Sequence, residues 1–295
     1  MLRWTAAGAV AAPTTVQIRV QRRYPGRVRA GAPAPTRSLS PAELLENIAH
    51  FTHGMRGPRT SPCTGLVLSG GGVATRADLS EALTHARNSG ISHIVLHISD
   101  GDLEPGVVAP LAGMVDTLVL PFQPDGNADA AGEVFREARA HGVKVATNTV
   151  LRATALQDLR QTILRLVALE PDAVTLTHPF PTGASAEDLA PLEAVLAALD
   201  DVVPLLDDAG VQTRLKGLPA CHLGPHAKRL GRTANRWYVD ADHQCARALL
   251  FLPDVLSFHK DDACRFCSAD PECDGSFAQW LARPGARALE PMGPA

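Results

Sequence analysis

The sequence has little that would tie it to a nucleic acid, a membrane or an oxidising compartment. Its formal net charge is only −3 over 295 residues, so bulk charge attracts neither a polyanion nor an anionic lipid surface. No hydrophobic run reaches the length that a membrane span requires. The 6 cysteines gather toward the C-terminus, a distribution that favours metal ligation in a reducing compartment over a disulfide scaffold. We therefore expect a cytoplasmic protein, with no nucleic acid and no membrane among its partners.

Three cysteines occur close together in the pattern Cys264-x2-Cys267-x5-Cys273. Two cysteines separated by two residues can direct both sulfur atoms toward one ion or cluster, and a third supplies most of a coordination shell. The candidates for a fourth ligand are Cys221 and Cys245, with His259 as a nitrogen alternative. Spacing alone leaves a [4Fe-4S] cluster and zinc both open, because neighbouring histidines offer nitrogen ligands. These histidines are His222, His226, His243 and His259.

Strands and helices alternate along most of the chain. The predicted strands are 16–20, 65–69, 93–98, 117–120, 143–147, 173–177 and 211–215. The predicted helices are 40–53, 78–88, 107–114, 130–141, 156–169 and 186–200. Such alternation implies a parallel sheet with right-handed crossovers. The predicted fold class is therefore α/β, with a partial or full parallel (β/α) barrel.

The alternation ends near residue 217, which suggests three regions. We expect a tail at 1–15, the barrel at 16–217 and a small, loop-rich, metal-binding extension at 218–295. The extension has little apolar periodicity of its own, so a bound metal would help it to fold.

Polar residues are expected at the C-terminal ends of the strands, where parallel α/β folds place their working face. A run of three glycines there permits close approach of a ligand to the backbone, or is simply a tight turn, since no Lys-Ser/Thr follows to make a phosphate loop. A histidine in this position can bind a metal or transfer protons, although strand-end histidines are more often structural. The candidates are Gly70, Gly71, Gly72, His97, Asp100, Asn148 and His178.

Several of these segments resemble the radical SAM superfamily. The run Leu68-Ser-Gly-Gly-Gly72 is similar to the glycine-rich loop that binds the amino group of S-adenosylmethionine in that family. The segments 142–151 and 179–183 resemble the family's fifth strand and the loop after its sixth. The C-terminal cysteine motif is similar to the core of the SPASM or twitch extension, which carries auxiliary [4Fe-4S] clusters in members that modify peptides. The resemblance implies a radical SAM (TIM-like) barrel with an auxiliary cluster.

Two departures from the family pattern affect catalysis. The family holds its catalytic cluster with a Cys-x3-Cys-x2-Cys motif after the first strand, and here this spacing falls on Tyr24, Val28 and Gly31. Val73 and Ala74 stand where the glycine-rich loop usually has Glu and Pro. The resemblance thus implies that the catalytic cluster is absent and that binding of S-adenosylmethionine through Gly70, Gly71 and Gly72 is weakened.

The SPASM pattern is also incomplete. Phe277 and Arg236 occupy the places of two further cysteines, so we expect at most one cluster. It would be held by Cys264, Cys267 and Cys273, with Cys221 or Cys245 as the fourth ligand.

These features predict a non-catalytic binding or companion subunit that holds one [4Fe-4S] cluster. Its partner would be an active radical SAM enzyme or the peptide substrate of one. Two alternatives stay open. One is an enzyme of another class that uses the polar side chains of the barrel mouth, and the other is an electron-transfer protein that uses the single cluster.

Overall fold

The computed structural model describes residues 2–4, 8–10, 13–21, 37–53, 62–124, 126–179, 189–231, 236–250, 258–283 and 286–293. Its centre is an 8-stranded sheet in which all neighbouring strands are parallel. In chain order the strands are β1 (Thr15–Arg19), β2 (Gly65–Ser69), β3 (His93–His97), β4 (Thr117–Pro121), β5 (Lys144–Val150), β6 (Ala173–Thr177), β7 (Gln212–Lys216) and β8 (Trp237–Val239). The order across the sheet is β8-β1-β2-β3-β4-β5-β6-β7. The seven predicted strands and the α/β fold class are confirmed.

In the described residues, five helices of two turns or more accompany the sheet. They are α1 (Pro41–Thr52), α2 (Leu79–Asn88), α3 (Ala128–Ala140), α4 (Leu159–Val167) and α5 (Leu192–Asp208). Helix α1 begins where the sequence predicts, because the Ser40 side chain accepts from the Glu43 backbone while the Glu43 carboxylate accepts from the Ser40 backbone. None of the helices in the described residues combines the length and the apolar character of a membrane-spanning segment.

The helix predicted over 107–114 is wrong. The chain there forms only a short 3-10 turn at Ala109–Leu111, and Gly113 adopts a φ of 74°. The Glu137 carboxylate of α3 accepts hydrogen bonds from the backbone N–H groups of Gly106, Val108 and Ala109. A side chain from a neighbouring helix thus satisfies this backbone in place of a helical ladder.

Strand β8 is missing from the sequence prediction. It has only 3 residues, and its parallel pairing with β1 places Trp237 beside Val16. The Trp237 ring lies 6.0 Å from the ring of Phe51 on α1. The segment assigned to the extension therefore supplies one strand of the sheet, while the limits 16–217 and 218–295 stay a prediction.

The two faces of the sheet differ in what covers them. Ile18, Leu68, Leu96 and Leu215 belong to the main hydrophobic core that the sheet shares with the helices. The alternate positions along each strand carry many polar and partly exposed side chains. We call this second face the concave face.

The connection from β7 to β8 requires that the sheet be strongly curved. Gly231 donates its backbone N–H to Leu215 on the edge strand β7, while Trp237 begins the opposite edge strand. The chain between Gly231 and Trp237 can span at most about 21 Å. A flat sheet of eight strands would hold its edges about 34 Å apart. The edges therefore approach each other, and because no hydrogen bond between β7 and β8 occurs in the described residues, the barrel is partial.

Candidate metal centre and barrel mouth

Four of the six cysteines line one cavity in the C-terminal region. Cys264, Cys267 and Cys273 come from the cysteine motif, and Cys221 comes from the short helix Ala220–Leu223. The cavity contains about 300 Å³ of space not filled by protein atoms, part of it open to solvent. Four sulfur atoms drawn from two distant segments thus surround one space.

The local fold around the motif explains this arrangement. A 3-10 turn at Asp262–Phe266 carries Cys264, and a two-residue ladder joins Phe258–His259 to Ser276–Phe277. The rings of Phe258 and Phe277 stack with centroids 4.2 Å apart, which fixes the ends of the cysteine loop. Gly275 has a φ of 87°, and a Cβ there would lie 2.1 Å from the carbonyl oxygen of His259. Only glycine fits this close contact.

Backbone N–H groups point at the sulfur atoms. Cys273 Sγ accepts from Ala220 at 3.4 Å and from Gly275 at 3.3 Å, and Cys267 Sγ accepts from Met292 at 3.3 Å. Such donors stabilise thiolates, which are the form that binds metal.

Burial and neighbouring thiols both raise the pKa values of two cysteines at this cavity. Burial raises the pKa of Cys221, a backbone hydrogen bond from Glu290 opposes that rise, and the nearby Cys273 and Cys264 add to it. Burial also raises the pKa of Cys264, which the Asp261 backbone opposes. Because metals bind thiolates, metal binding at this cavity would have to displace the thiol protons that burial makes harder to remove.

The donor atoms do not form a ready-made site for a single ion. Within the described residues, no group of three His, Cys, Asp or Glu side chains is close enough to hold one metal ion. A zinc ion bound by four sulfur atoms at about 2.3 Å would require them to stand about 3.8 Å apart.

The other two cysteines lie elsewhere. Cys245 Sγ is 3.5 Å from Asn47 Oδ1 on α1, and the Cys245 backbone N–H donates to the same oxygen. Cys63 is buried just before β2, at the end of the sheet opposite the barrel mouth. Burial raises the pKa of the Cys63 thiol to about 12.

The four histidines that would supply zinc ligands have other partners. His222 Nε2 lies 2.9 Å from the Ala288 carbonyl, and His226 Nε2 lies 2.7 Å from Asp200. The remaining two bind carboxylates in their own turns. These pairs are His243 with Asp240 and His259 with Asp261.

The triple glycine forms a tightly packed loop. Gly70 has a φ of 115°, and a Cβ there would lie 2.7 Å from the Gln21 backbone. The Gly72 N–H already donates to the buried Asp102 carboxylate at 3.1 Å, and Ser99 Oγ donates to that carboxylate at 2.7 Å. Val73 is fully buried in the core. The side chain that replaces the family's Glu therefore does not face the barrel mouth.

The polar residues predicted at the mouth have separate environments. Burial, with the nearby charges of Arg236 and Lys216, lowers the pKa of His97 to about 3. Burial lowers the pKa of His178 to about 4. The centroid of its ring lies 6.3 Å from that of Trp280, in a T-shaped arrangement. Two other candidates complete the set. Asn148 Oδ1 accepts from Thr177 Oγ1 at 2.6 Å, and Asp100 is exposed in a 3-10 turn.

Some of the predicted features fall outside the described part of the chain. Tyr24, Val28 and Gly31 are among these residues, as are positions 180–183 of the loop after the sixth strand of the family pattern.

The structure adds basic residues that the sequence prediction missed. Arg214 and Lys216 lie on the concave face, because they alternate with the buried Thr213 and Leu215. Arg236 Nη1 donates to Gln17 Oε1 on β1 at 3.1 Å. The alternation of polar and apolar residues in 212–216 was the available signal for the first two.

The fold is shared with solved structures of SuiB from Streptococcus suis. SuiB bound to S-adenosylmethionine matches with a TM-score of 0.62 at 11% identity, over 94% of this chain and 75% of that chain. SuiB bound to the precursor peptide SuiA matches with a TM-score of 0.57 at 11% identity, over 74% of this chain and 52% of that chain. The match to this second structure thus covers about half of the SuiB chain. No protein-family profile and no curated protein matches the sequence.

At this level of identity the likeness shows the fold alone. The fold is a partial parallel α/β barrel that this chain shares with SuiB, in agreement with the fold class that the sequence predicts.

Proposed function

We propose that this protein is a non-catalytic relative of radical SAM enzymes that holds one auxiliary [4Fe-4S] cluster and binds a peptide or the enzyme that modifies it. The position of the cysteines is the observation that carries this proposal. Four of the six line the cavity in the extension, one is buried at the far end of the sheet and one lies against α1. A cluster that cleaves S-adenosylmethionine needs three thiolates at the barrel mouth, and this chain has none to place there.

The cavity supports a cluster more strongly than zinc. In a [4Fe-4S] cluster each thiolate binds a different iron atom, so the sulfur atoms stand farther apart than around one zinc ion. No group of three His, Cys, Asp or Glu side chains in the described residues is close enough for a single ion, which agrees with that wider spacing. We assign Cys221, Cys264, Cys267 and Cys273 as the ligands. Such a cluster supplies one-electron redox chemistry when bound, and its ligands join the motif to the helix that carries Cys221.

The glycine loop supports the loss of catalysis. Its Gly72 N–H is bound to Asp102, and Val73 is turned into the core. The two sites that the family uses for S-adenosylmethionine, a cluster with an open iron position and a polar glycine loop, are thus both altered in this chain.

Acid–base catalysis at the mouth has less support. The pKa values of about 3 for His97 and about 4 for His178 keep both rings neutral at cytoplasmic pH. A general acid or base works best when its pKa is near the working pH. Two neutral histidine rings suit a binding surface better than a proton-transfer centre.

A peptide partner is inferred from the shared fold. SuiB has been crystallised with a precursor peptide. In this chain Trp280 of the extension donates its Nε1–H to the Pro179 carbonyl beside His178, which attaches the extension to the rim of the barrel. We infer that the concave face is the surface for a partner.

The test of the proposal is formation of 5′-deoxyadenosine by anaerobically reconstituted protein with a strong reductant. We expect no product above a control lacking iron, while the protein itself contains iron and sulfide. Formation of 5′-deoxyadenosine above that control would show that the protein is a catalytic radical SAM enzyme. Absence of iron and sulfide after reconstitution would show that the protein does not hold a [4Fe-4S] cluster.

A further inference from the structure

The concave face has a charge distribution that the whole chain does not have. Gln17 lies on this face, and so do the residues in register with it on the other strands. Every second residue along each strand from these positions lies on the same face. No Asp or Glu occurs at these positions in the eight strands. Four Lys or Arg residues do, in a chain whose net charge is −3, and they are Arg19, Lys144, Arg214 and Lys216. The positions that flank β8 on the same face are Arg236 before it and Asp240 after it.

Three basic groups from distant strands converge on this face. Lys216 on β7 and Arg236 before β8 both act electrostatically on His97 of β3. Burial, with the nearby charges of Arg236 and Arg214, lowers the pKa of Lys216 to about 8, while Asp274 opposes the shift. Like charges held together out of water are costly unless an anion offsets them.

Asp274 is the carboxylate that acts electrostatically on Lys216. In the described part of the chain neither Arg214 nor Arg236 forms a hydrogen bond or ion pair with a carboxylate. Arg236 is positioned by the neutral Gln17, whose own amide donates to Ser69 Oγ at 3.2 Å, and the buried Arg236 Nε has no partner. A guanidinium fixed by neutral groups, with a donor left over, is suited to an external acceptor.

We propose that the concave face binds an acidic peptide segment, with Lys216 and Arg236 contacting its carboxylates. This proposal rests on the proposed function and specifies the class of peptide. The basic positions on this face run from Lys144 at the start of β5 to Lys216 at the end of β7, so they are spread over several strands and are not gathered at one point. A single phosphate would require a compact cradle, and the triple glycine is not followed by the Lys-Ser/Thr of a phosphate loop.

The experiment measures binding of a fluorescent peptide that contains a run of glutamates by fluorescence anisotropy, using the full-length protein with its cluster reconstituted. The same peptide with glutamine at every glutamate is the matched ligand. Lys216→Gln is the test variant. Lys228→Gln is its control, because Lys228 is exposed on the outer 3-10 helix and its replacement removes the same charge.

We expect the glutamate peptide to bind at least about tenfold more tightly than the glutamine peptide, and Lys216→Gln to lose about tenfold in affinity, while Lys228→Gln stays within about twofold. Lys216→Gln should melt at the same or a higher temperature, since it relieves repulsion from Arg236, so weaker binding would not reflect misfolding. Arg236→Gln gives an independent second measurement with the same expected loss.

Equal affinity for the two peptides would overturn the inference and leave the proposed function standing. Binding of neither peptide would overturn the inference and also the peptide-binding part of the proposed function, while the iron and 5′-deoxyadenosine assays would judge the rest separately. Displacement of the glutamate peptide by inorganic phosphate at an equal concentration would also overturn it, because the face would then be a phosphate site.

Discussion

Cys273 Sγ accepts a hydrogen bond from the backbone N–H of Ala220 at 3.4 Å. Ala220 immediately precedes Cys221, so this bond joins the cysteine motif to a helix 53 residues earlier in the sequence. The contact holds the fourth thiol at the cavity through a backbone donor.

Gly275→Ala should destabilise the extension. Its φ of 87° and the 2.1 Å contact of a Cβ with the His259 carbonyl require the chain to move. We expect a loss of about 1–3 kcal/mol in stability and a lower iron content per chain. Gly293→Ala is the matched control, since a Cβ there has no atom within 4 Å. Equal thermal melting and equal iron content for the two variants would contradict the role given to Gly275.

Removal of iron should release the extension from the barrel. The extension has short elements, and we expect its fold to depend on ligation by Cys221 and the motif. Chelated protein should therefore be cleaved by protease within 218–295 before the barrel is cleaved, and the fluorescence of Trp280 should change as it leaves His178. Equal resistance of the chelated and loaded forms would mean that the cluster is not needed for folding.

His178 should make the protein sensitive to acid. Its pKa is lowered to about 4 in the folded state from an ordinary value of 6.5, so the unfolded state binds the proton more readily. Stability from this group is complete above about pH 6.5 and is lost as the pH falls toward 4, by up to about 3 kcal/mol.

Comparison of melting temperatures between pH 7 and pH 5 tests this expectation. His178→Asn should show a smaller decrease than the wild type, whereas His259→Asn, at an exposed position, should behave like the wild type. An identical decrease in His178→Asn would show that other groups control the acid sensitivity.

Most of the sheet is predictable from the sequence because the apolar residues of each strand reflect how deeply that strand is buried. The strands β2 and β6 were placed at their observed limits, since runs such as Gly65–Ser69 are buried along their whole length. Strand β8 was missed because its 3 residues are a strand only through pairing with β1. The false helix over 107–114 has a similar cause, because Glu137 on a distant helix binds that backbone.

The metal site is partly predictable because some of its ligands are close together in the sequence. The spacing of Cys264, Cys267 and Cys273 is local, so the sequence indicates it directly. The choice between Cys221 and Cys245 depends on which one folds toward the motif, and spacing does not contain that information. The basic concave face depends on strand register across the whole sheet.

The most direct test of the account is the iron and sulfide content of anaerobically reconstituted wild-type protein, Cys221→Ser and Cys245→Ser. We expect about four iron atoms and four sulfides per chain in the wild type and in Cys245→Ser, and a large loss in Cys221→Ser. Stoichiometric zinc without iron, or loss of iron in Cys245→Ser with full retention in Cys221→Ser, would contradict it.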